Sequence, residues 1–250
     1  MTAPFFLLDG PVGAPGSDVA LEGPEGRHAV SVRRIAVGET VLLGDGAGRV
    51  ATAVCTAVVG RDRLEARVES VMEHPVPSPR VVVVQALPKG ERGDLSVELL
   101  TEVGVDVVVP WQASRSVAVW KGEKAQRGVE KWRTTAREAA KQSRRPYVPA
   151  VEPLASTSDV VALLRAASSS GGTALVLHEA ASLRMASLKP RTDADVVLVV
   201  GPEGGISDDE LALFADAGAL AARLGPSVLR TSTAGTVAAA VVLASAGRWD

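Results

Sequence analysis

Apolar residues along this chain change period near residue 75, and the change divides the sequence in two. Before it, short apolar runs at 5–8, 29–32, 40–43, 50–59 and 64–71 are separated by turn clusters, notably Gly44-Asp-Gly-Ala-Gly48 and Gly60-Arg-Asp62. Runs of that length, broken at glycine, predict strands of a small antiparallel barrel or sandwich across residues 1–73. His74-Pro-Val-Pro-Ser-Pro79 follows. Three prolines so close together predict a stiff, extended linker at 74–79.

Beyond the linker, strand and helix patterns alternate. The runs 81–87, 105–109, 174–177 and 196–200 read as strands. Helices are predicted over 94–103, with Leu95, Leu99 and Val103 at fourfold spacing, and over 121–143. In the second, Val129, Trp132, Ala136, Ala139 and Ala140 form one stripe and leave Arg127, Lys131, Lys141 and Arg145 nearer the other side. Further helices are predicted at 159–167 and 208–217, with an Ala/Val-rich buried one at 234–246. Near-continuous apolar strands alternating with helices predict an α/β domain over 80–250, its parallel sheet covered on both faces. The strand ending at Val200 runs into Gly201-Pro-Glu-Gly-Gly205. Ser207 and Glu210 then stand at capping-box spacing, so a helix starts where the glycines stop. Strand, bare loop and capped helix mark a small-molecule site at the carboxyl end of the sheet.

Net charge is only -2 over 250 residues, but its distribution is uneven. Between 115 and 145 there are ten Lys/Arg against three Glu, whereas 193–216 holds seven acids and no Lys or Arg. The first segment suits a polyanion; the second does not. The single cysteine, Cys55, excludes an intramolecular disulfide and a multi-cysteine metal site, and it reads as a small buried residue on a strand. No metal is expected. No apolar stretch reaches the ~18 residues of a membrane span, and a cytoplasmic protein is expected.

Three loops carry the candidate chemistry: 177–180, 201–205 and 224–234. No phosphate-cradle motif opens the first strand–helix unit. Glu203, Asp208, Asp209 and Glu210 beside the glycines favour a neutral or cationic ligand over a phosphate, which argues against a nucleotide-phosphate enzyme. His178 ends a strand, where a structural hydrogen-bonding role competes with that of general base. Glu203 either orders its loop or meets the ligand. Trp111, Trp120 and Trp132 are expected to pack in the core or at a subunit interface rather than on bases.

The string Leu198-Val-Val-Gly-Pro-Glu-Gly-Gly205 with Ser207 and Glu210, then Leu224-Gly-Pro226 and Val228-Leu-Arg-Thr231, resembles the RsmE-type rRNA methyltransferases of the SPOUT class. Lys89-Gly-Glu91, Glu102-Val-Gly-Val105, Glu138-Ala-Ala-Lys-Gln-Ser143 with Arg145 and Val148-Pro149, Leu177-His178, and His28 with Val32 and Arg34 add matches in the family's order. The resemblance implies a PUA-like RNA-binding β-barrel at 1–73 and a SPOUT methyltransferase domain at 80–250 whose chain forms a deep trefoil knot. It implies a homodimer through the knotted region, S-adenosylmethionine bound there in a bent shape, and methylation at N3 of a uridine in 16S rRNA of the small ribosomal subunit. Two positions depart from the pattern: Ser232 stands where relatives commonly carry an acid, and Ser227 where many carry arginine.

On that resemblance, Leu177, His178, Val200, Gly201, Pro202, Glu203, Gly204, Gly205, Leu224, Gly225, Val228 and Leu229 are the expected cofactor-binding residues. Leu177, Gly201, Gly205, Leu224 and Leu229 would form the adenine slot. Arg230 is the catalytic candidate, as a fork stabilising negative charge on the reacting base. The competing reading makes it a structural partner of Glu203 or Glu138. Arg33, Arg34, Arg127, Lys131, Lys141, Arg144 and Arg145 are the expected RNA contacts. The alternative to an enzyme is an RNA-binding ribosome-assembly factor that keeps the scaffold and catalyses nothing.

Overall fold

The computed structural model of the protein describes residues 3–90 and 92–249, so the motif residue Glu91 lies outside the described residues. Two compact units are present. One ends at Val76 and also takes in Ala140–Val148; the other comprises Pro77–Ala139 and the chain from Pro149 onward. The division thus differs from a single cut at the prolines, because a short later segment folds with the first unit.

The first unit is a five-stranded sheet in the order β1 (Phe5–Leu7), β3 (Thr40–Gly44), β4 (Arg49–Val59), β5 (Arg63–Glu73), β2 (Asp18–Leu21). All pairings but β1–β3 are antiparallel. Ala51, Ala53 and Cys55 of β4 and Leu64, Ala66 and Val68 of β5 point inward at every second position, the period of a half-buried strand. With Phe6, Val41 and Leu43 they form this unit's core. The expected strand at 29–32 is not one. Helix α1 (Gly23–Arg27) starts with Pro24 in its first turn and continues as a π-helical turn, His28–Val32. Proline there presets the helical φ, and with Ala29 buried but Val32 66% exposed the run lacks strand alternation.

The second unit is a seven-stranded, wholly parallel sheet. Its order is β10 (Leu183–Arg184), β12 (Leu220–Arg223), β9 (Thr173–Leu177), β11 (Val196–Val200), β6 (Val81–Ala86), β7 (Val107–Trp111), β8 (Ala150–Val151). β6 and β11 lie centrally and every residue of both is buried. Their side chains alternate between two cores. Val81, Val83, Leu198 and Val200 pack with α2 (Arg92–Val103), α3 (Glu123–Gln142) and α6 (Thr231–Ser245). Val82, Val84, Val197 and Val199 pack with α4 (Thr157–Ser169) and α5 (Asp208–Asp216). Both faces are therefore covered, as the apolar runs predict. Trp111 and Trp132 are buried, Trp111 edge-on to Phe214 at 5.4 Å and Trp132 edge-on to Trp120 at 5.3 Å. β7 begins two residues later than expected because Val105 and Asp106 close the preceding turn. Val105 N–H donates to Leu100, and the Asp106 carboxylate accepts Val81 N–H at 2.8 Å and an ion pair from Arg248 at 2.6 Å.

Candidate active site

The loops leaving β9, β11 and β12 converge on one cavity of about 600 Å³. All twelve residues expected at the cofactor line it: Leu177 and His178 at the end of β9, Val200 to Gly205 from the end of β11, and Leu224, Gly225, Val228 and Leu229 after β12. Arg230 lines it too, from the N-cap of α6. The third loop therefore follows a strand like the other two, although the short, alanine-rich Leu220–Arg223 carries no clear strand pattern.

Packing fixes the glycine loop. A Cβ on Gly201 would lie 2.6 Å from Ile206 Cγ1, and Gly205 has φ +74°, where an L side chain is strained. Ser207 and Glu210 form the expected capping box: Glu210 N–H donates to Ser207 Oγ, while Ser207 N–H donates to Glu210 Oε2 at 3.1 Å. Glu210 does more than cap. Only 4% exposed, it accepts Ser114 N–H at 2.8 Å, Ser114 Oγ–H at 2.8 Å and Thr157 Oγ1–H at 3.1 Å. Burial pushes its carboxyl up, but the hydrogen bonds from Ser114 and Ser207 outweigh burial and hold it below the ordinary glutamate range. Glu203 accepts Lys89 N–H at 3.1 Å, tying the loop after β6 to the glycine loop, which is the ordering role. His178 Nδ1 accepts Ala180 N–H at 3.2 Å, so the ring carries its proton on Nε2 when neutral and serves its own turn.

The charge around the loop is not uniformly acidic. Glu210 turns inward, and Arg92, Arg115 and Arg223 enter the lining beside Glu179, Glu203 and Asp208. Sequence reasoning assigned none of these three arginines to the site. Arg115 lies four residues beyond the end of β7 and Arg92 opens α2, so their positions at strand carboxyl ends are the signal that locates them. Arg230 is exposed and, among the described residues, pairs with no carboxylate, Glu203 and Glu138 included. Ser232, on the first turn of α6, is 4% exposed.

The expected RNA contacts differ in exposure and pairing. Arg33 and Arg34 are exposed at the end of the π-helical turn, and Arg144 is exposed while Arg145 is half-buried beyond α3. Arg127 pairs with Glu123 at 3.6 Å and Lys131 with Asp94 at 2.5 Å. Lys141 requires correction. It is 7% exposed and its Nζ lies 2.7 Å from Glu25, because the end of α3 is buried in the first unit; it is a structural cation.

The cavity fits S-adenosylmethionine in kind. Its size lies within the ordinary small-molecule range, its walls combine leucine and valine side chains with glycine-bared backbone, and its carboxylates suit a sulfonium. Residues 75–243 match the RNA methyltransferase domain family, and residues 21–69 match the RNA methyltransferase PUA domain. The fold and site are thus those of an RNA methyltransferase with an appended PUA domain. The Mycobacterium tuberculosis ribosomal RNA small subunit methyltransferase E is 46% identical over 250 residues, covering 100% of this chain and 95% of its own. The Bacillus subtilis protein of that name is 28% identical over 86% of this chain and 85% of its own. The solved structure of ribosomal RNA small subunit methyltransferase E from Neisseria gonorrhoeae, bound to S-adenosylmethionine, superposes with a TM-score of 0.85 at 26% identity, covering 97% of this chain and 98% of that one. The chain belongs to the ribosomal RNA small subunit methyltransferase E family.

Proposed function

We propose that this protein methylates N3 of a uridine in 16S rRNA of the small ribosomal subunit, using S-adenosylmethionine. The observation that carries the reading is the convergence of the three loops after β9, β11 and β12 on one glycine-lined cavity, in a chain of this family. Bound there, the donor supplies an electrophilic methyl group to an in-line nucleophile. Leu177, Leu224 and Leu229 offer apolar walls for a flat adenine, and Gly201 and Gly205 let backbone groups approach its edge. Glu203, held by Lys89, keeps the glycine loop in place.

Uridine N3 gives up its proton to solvent, the negative charge spreads onto the flanking carbonyl oxygens, and attack of N3 on the methyl carbon would break its bond to sulfur and leave S-adenosylhomocysteine. Arg230 is the residue proposed to meet that charge, a role supported by its backbone as the α6 N-cap and by a guanidinium that pairs with no carboxylate among the described residues. Ser232, 4% exposed on the first turn of α6, offers Arg230 no carboxylate to pair with.

In this reading residues 1–73 form a PUA-like RNA-binding barrel, 74–79 a linker and 80–250 the SPOUT domain, apart from Ala140–Val148, which belong to the first compact unit. Arg33, Arg34 and Arg144 are the exposed cations for phosphate contacts. A trefoil knot is supported by strand order: β11 follows β9 in sequence yet lies between β9 and β6, and α6 then returns to pack on β6, β11 and α2. A homodimer through this domain is part of the reading, as the family resemblance implies. An intact cavity counts against a non-catalytic assembly factor. Calorimetry with S-adenosylhomocysteine and radiolabelled methyl transfer to undermethylated small-subunit rRNA test the proposal. Binding plus label on a uridine is expected; binding without transfer would favour the assembly factor, and no binding would remove the cofactor site.

A further inference from the structure

The arginines at the cavity divide by origin. Arg223 and Arg230 arrive from β12 and the N-cap of α6, whereas Arg92 and Arg115 arrive from the start of α2 and the loop after β7. In the sheet, β6 and β7 lie on one side of β11, and β9 and β12 on the other. The two pairs therefore come from opposite sides of the central strand.

Arg92 and Arg115 differ from the basic residues of α3. Arg127, Lys131 and Arg133 are matched by Glu123, Asp94 and Glu130. Arg92 and Arg115 are exposed and, among the described residues, pair with no carboxylate, although Glu179, Glu203 and Asp208 share the lining. Such charges oppose a sulfonium rather than attract it, so the methyl donor's cation does not account for them. They call for an anion at the same cavity.

The Arg115 arm is also held rigidly. Its carbonyl oxygen lies 3.0 Å from the site of a Gly204 Cβ, and its Nη1 lies 4.0 Å from that of a Gly205 Cβ. The preceding residue, Ser114, is fixed by two hydrogen bonds to Glu210. Its backbone is thus pinned to the glycine loop while the guanidinium stays accessible. Arg92 is presented by the first residue of a helix packed into the core. A planar guanidinium on a fixed arm suits a phosphate oxygen pair better than a point charge does.

We infer that Arg92 and Arg115 clamp the RNA phosphodiester backbone beside the target nucleotide at the mouth of this cavity, a role distinct from the charge stabilisation assigned to Arg230. The inference rests on the methyltransferase reading. The competing anion is the donor's own carboxylate, and the two are separable.

The test uses full-length protein with R92Q, R115Q, the double variant and R115K. Affinity for a uridine-containing single-stranded 16S rRNA fragment is measured across salt concentrations, and affinity for S-adenosylhomocysteine by calorimetry. Each glutamine substitution is expected to reduce the salt slope by about 0.7, and the pair by about 1.4, the value for contacts to a single strand. R115K keeps its charge and should keep most of the slope, and S-adenosylhomocysteine affinity should stay within about twofold, which also shows that each variant is folded. Methylation at subsaturating RNA should fall in step with RNA affinity. An unchanged slope in the double variant would overturn the inference, as would a loss of S-adenosylhomocysteine affinity, which would assign the arginines to the donor's carboxylate. Failure of the wild-type protein to methylate rRNA would instead remove the reading beneath it.

Discussion

The carboxylate of Glu210 accepts the backbone N–H of Ser114 at 2.8 Å, joining residues 96 positions apart in sequence. A side chain whose spacing announces only a helix cap thereby fastens the loop after β7 to the glycine loop after β11. The site's geometry depends on this junction as much as on the residues facing the cavity.

Glu210 links the junction to pH. Its carboxyl is held below the ordinary value of about 4.5, so its contribution to stability is present above that value and is lost as pH falls through the lower, folded-state value. Glu210→Gln should lower stability at pH 7 by about 1.5–3 kcal/mol, the scale of hydrogen bonds to a charged group. Denaturant melts should show the gap between variant and wild type narrowing below pH 4.5. A gap independent of pH would mean that the charge is not what stabilises the junction.

Arg230→Ala removes the charge proposed to act on the reacting base. Turnover should fall by about 10²–10³, the cost of losing one preorganised donor to a developing anion. S-adenosylhomocysteine affinity should hardly change. Equal losses in both would make Arg230 a binding residue.

Gly205 has φ +74°, and alanine there should cost about 1–2 kcal/mol of strain. Gly201→Ala places a methyl 2.6 Å from Ile206 Cγ1 and should displace the loop. Both variants should weaken S-adenosylhomocysteine binding, readable by calorimetry. Undiminished affinity in G201A would show that the ligand does not lie along this backbone.

Lys141 was expected on the RNA side of α3, and its burial against Glu25 gives the opposite prediction. Lys141→Met leaves a carboxylate buried without its cation, which should cost about 3–5 kcal/mol of stability. At a temperature where both proteins are folded, the salt slope of RNA binding should be unchanged. A reduced slope would return Lys141 to the RNA surface.

Much of the second unit was legible because β6 and β11 are unbroken valine-rich runs, and only a strand buried on both faces tolerates such a sequence. β12 was not, since Leu220-Ala-Ala-Arg223 is too short and too rich in alanine to carry a period. The 29–32 run imitates a strand by composition, but Pro24 had already committed the chain to a helix. At the site, loops that follow strands revealed themselves by their glycines. Arg92 and Arg115 did not, because a position beyond a strand's carboxyl end marks a residue that can reach the crevice, while the order of strands in the sheet decides which of those loops meet there. Lys141 shows the same limit: a helical stripe says which residues share a side, not which neighbour covers that side.

The placement of β11 between β6 and β9 has one more consequence. Because the cavity's walls come from segments between residues 92 and 234, the second unit must be folded before the cavity exists. A metabolite lodged there binds only when that unit is folded, and at a hundred times its dissociation constant adds about 2.7 kcal/mol to its stability. Survival against proteolysis is then coupled to metabolite supply, so starvation for the methyl donor would thin the population of the protein as well as idle it.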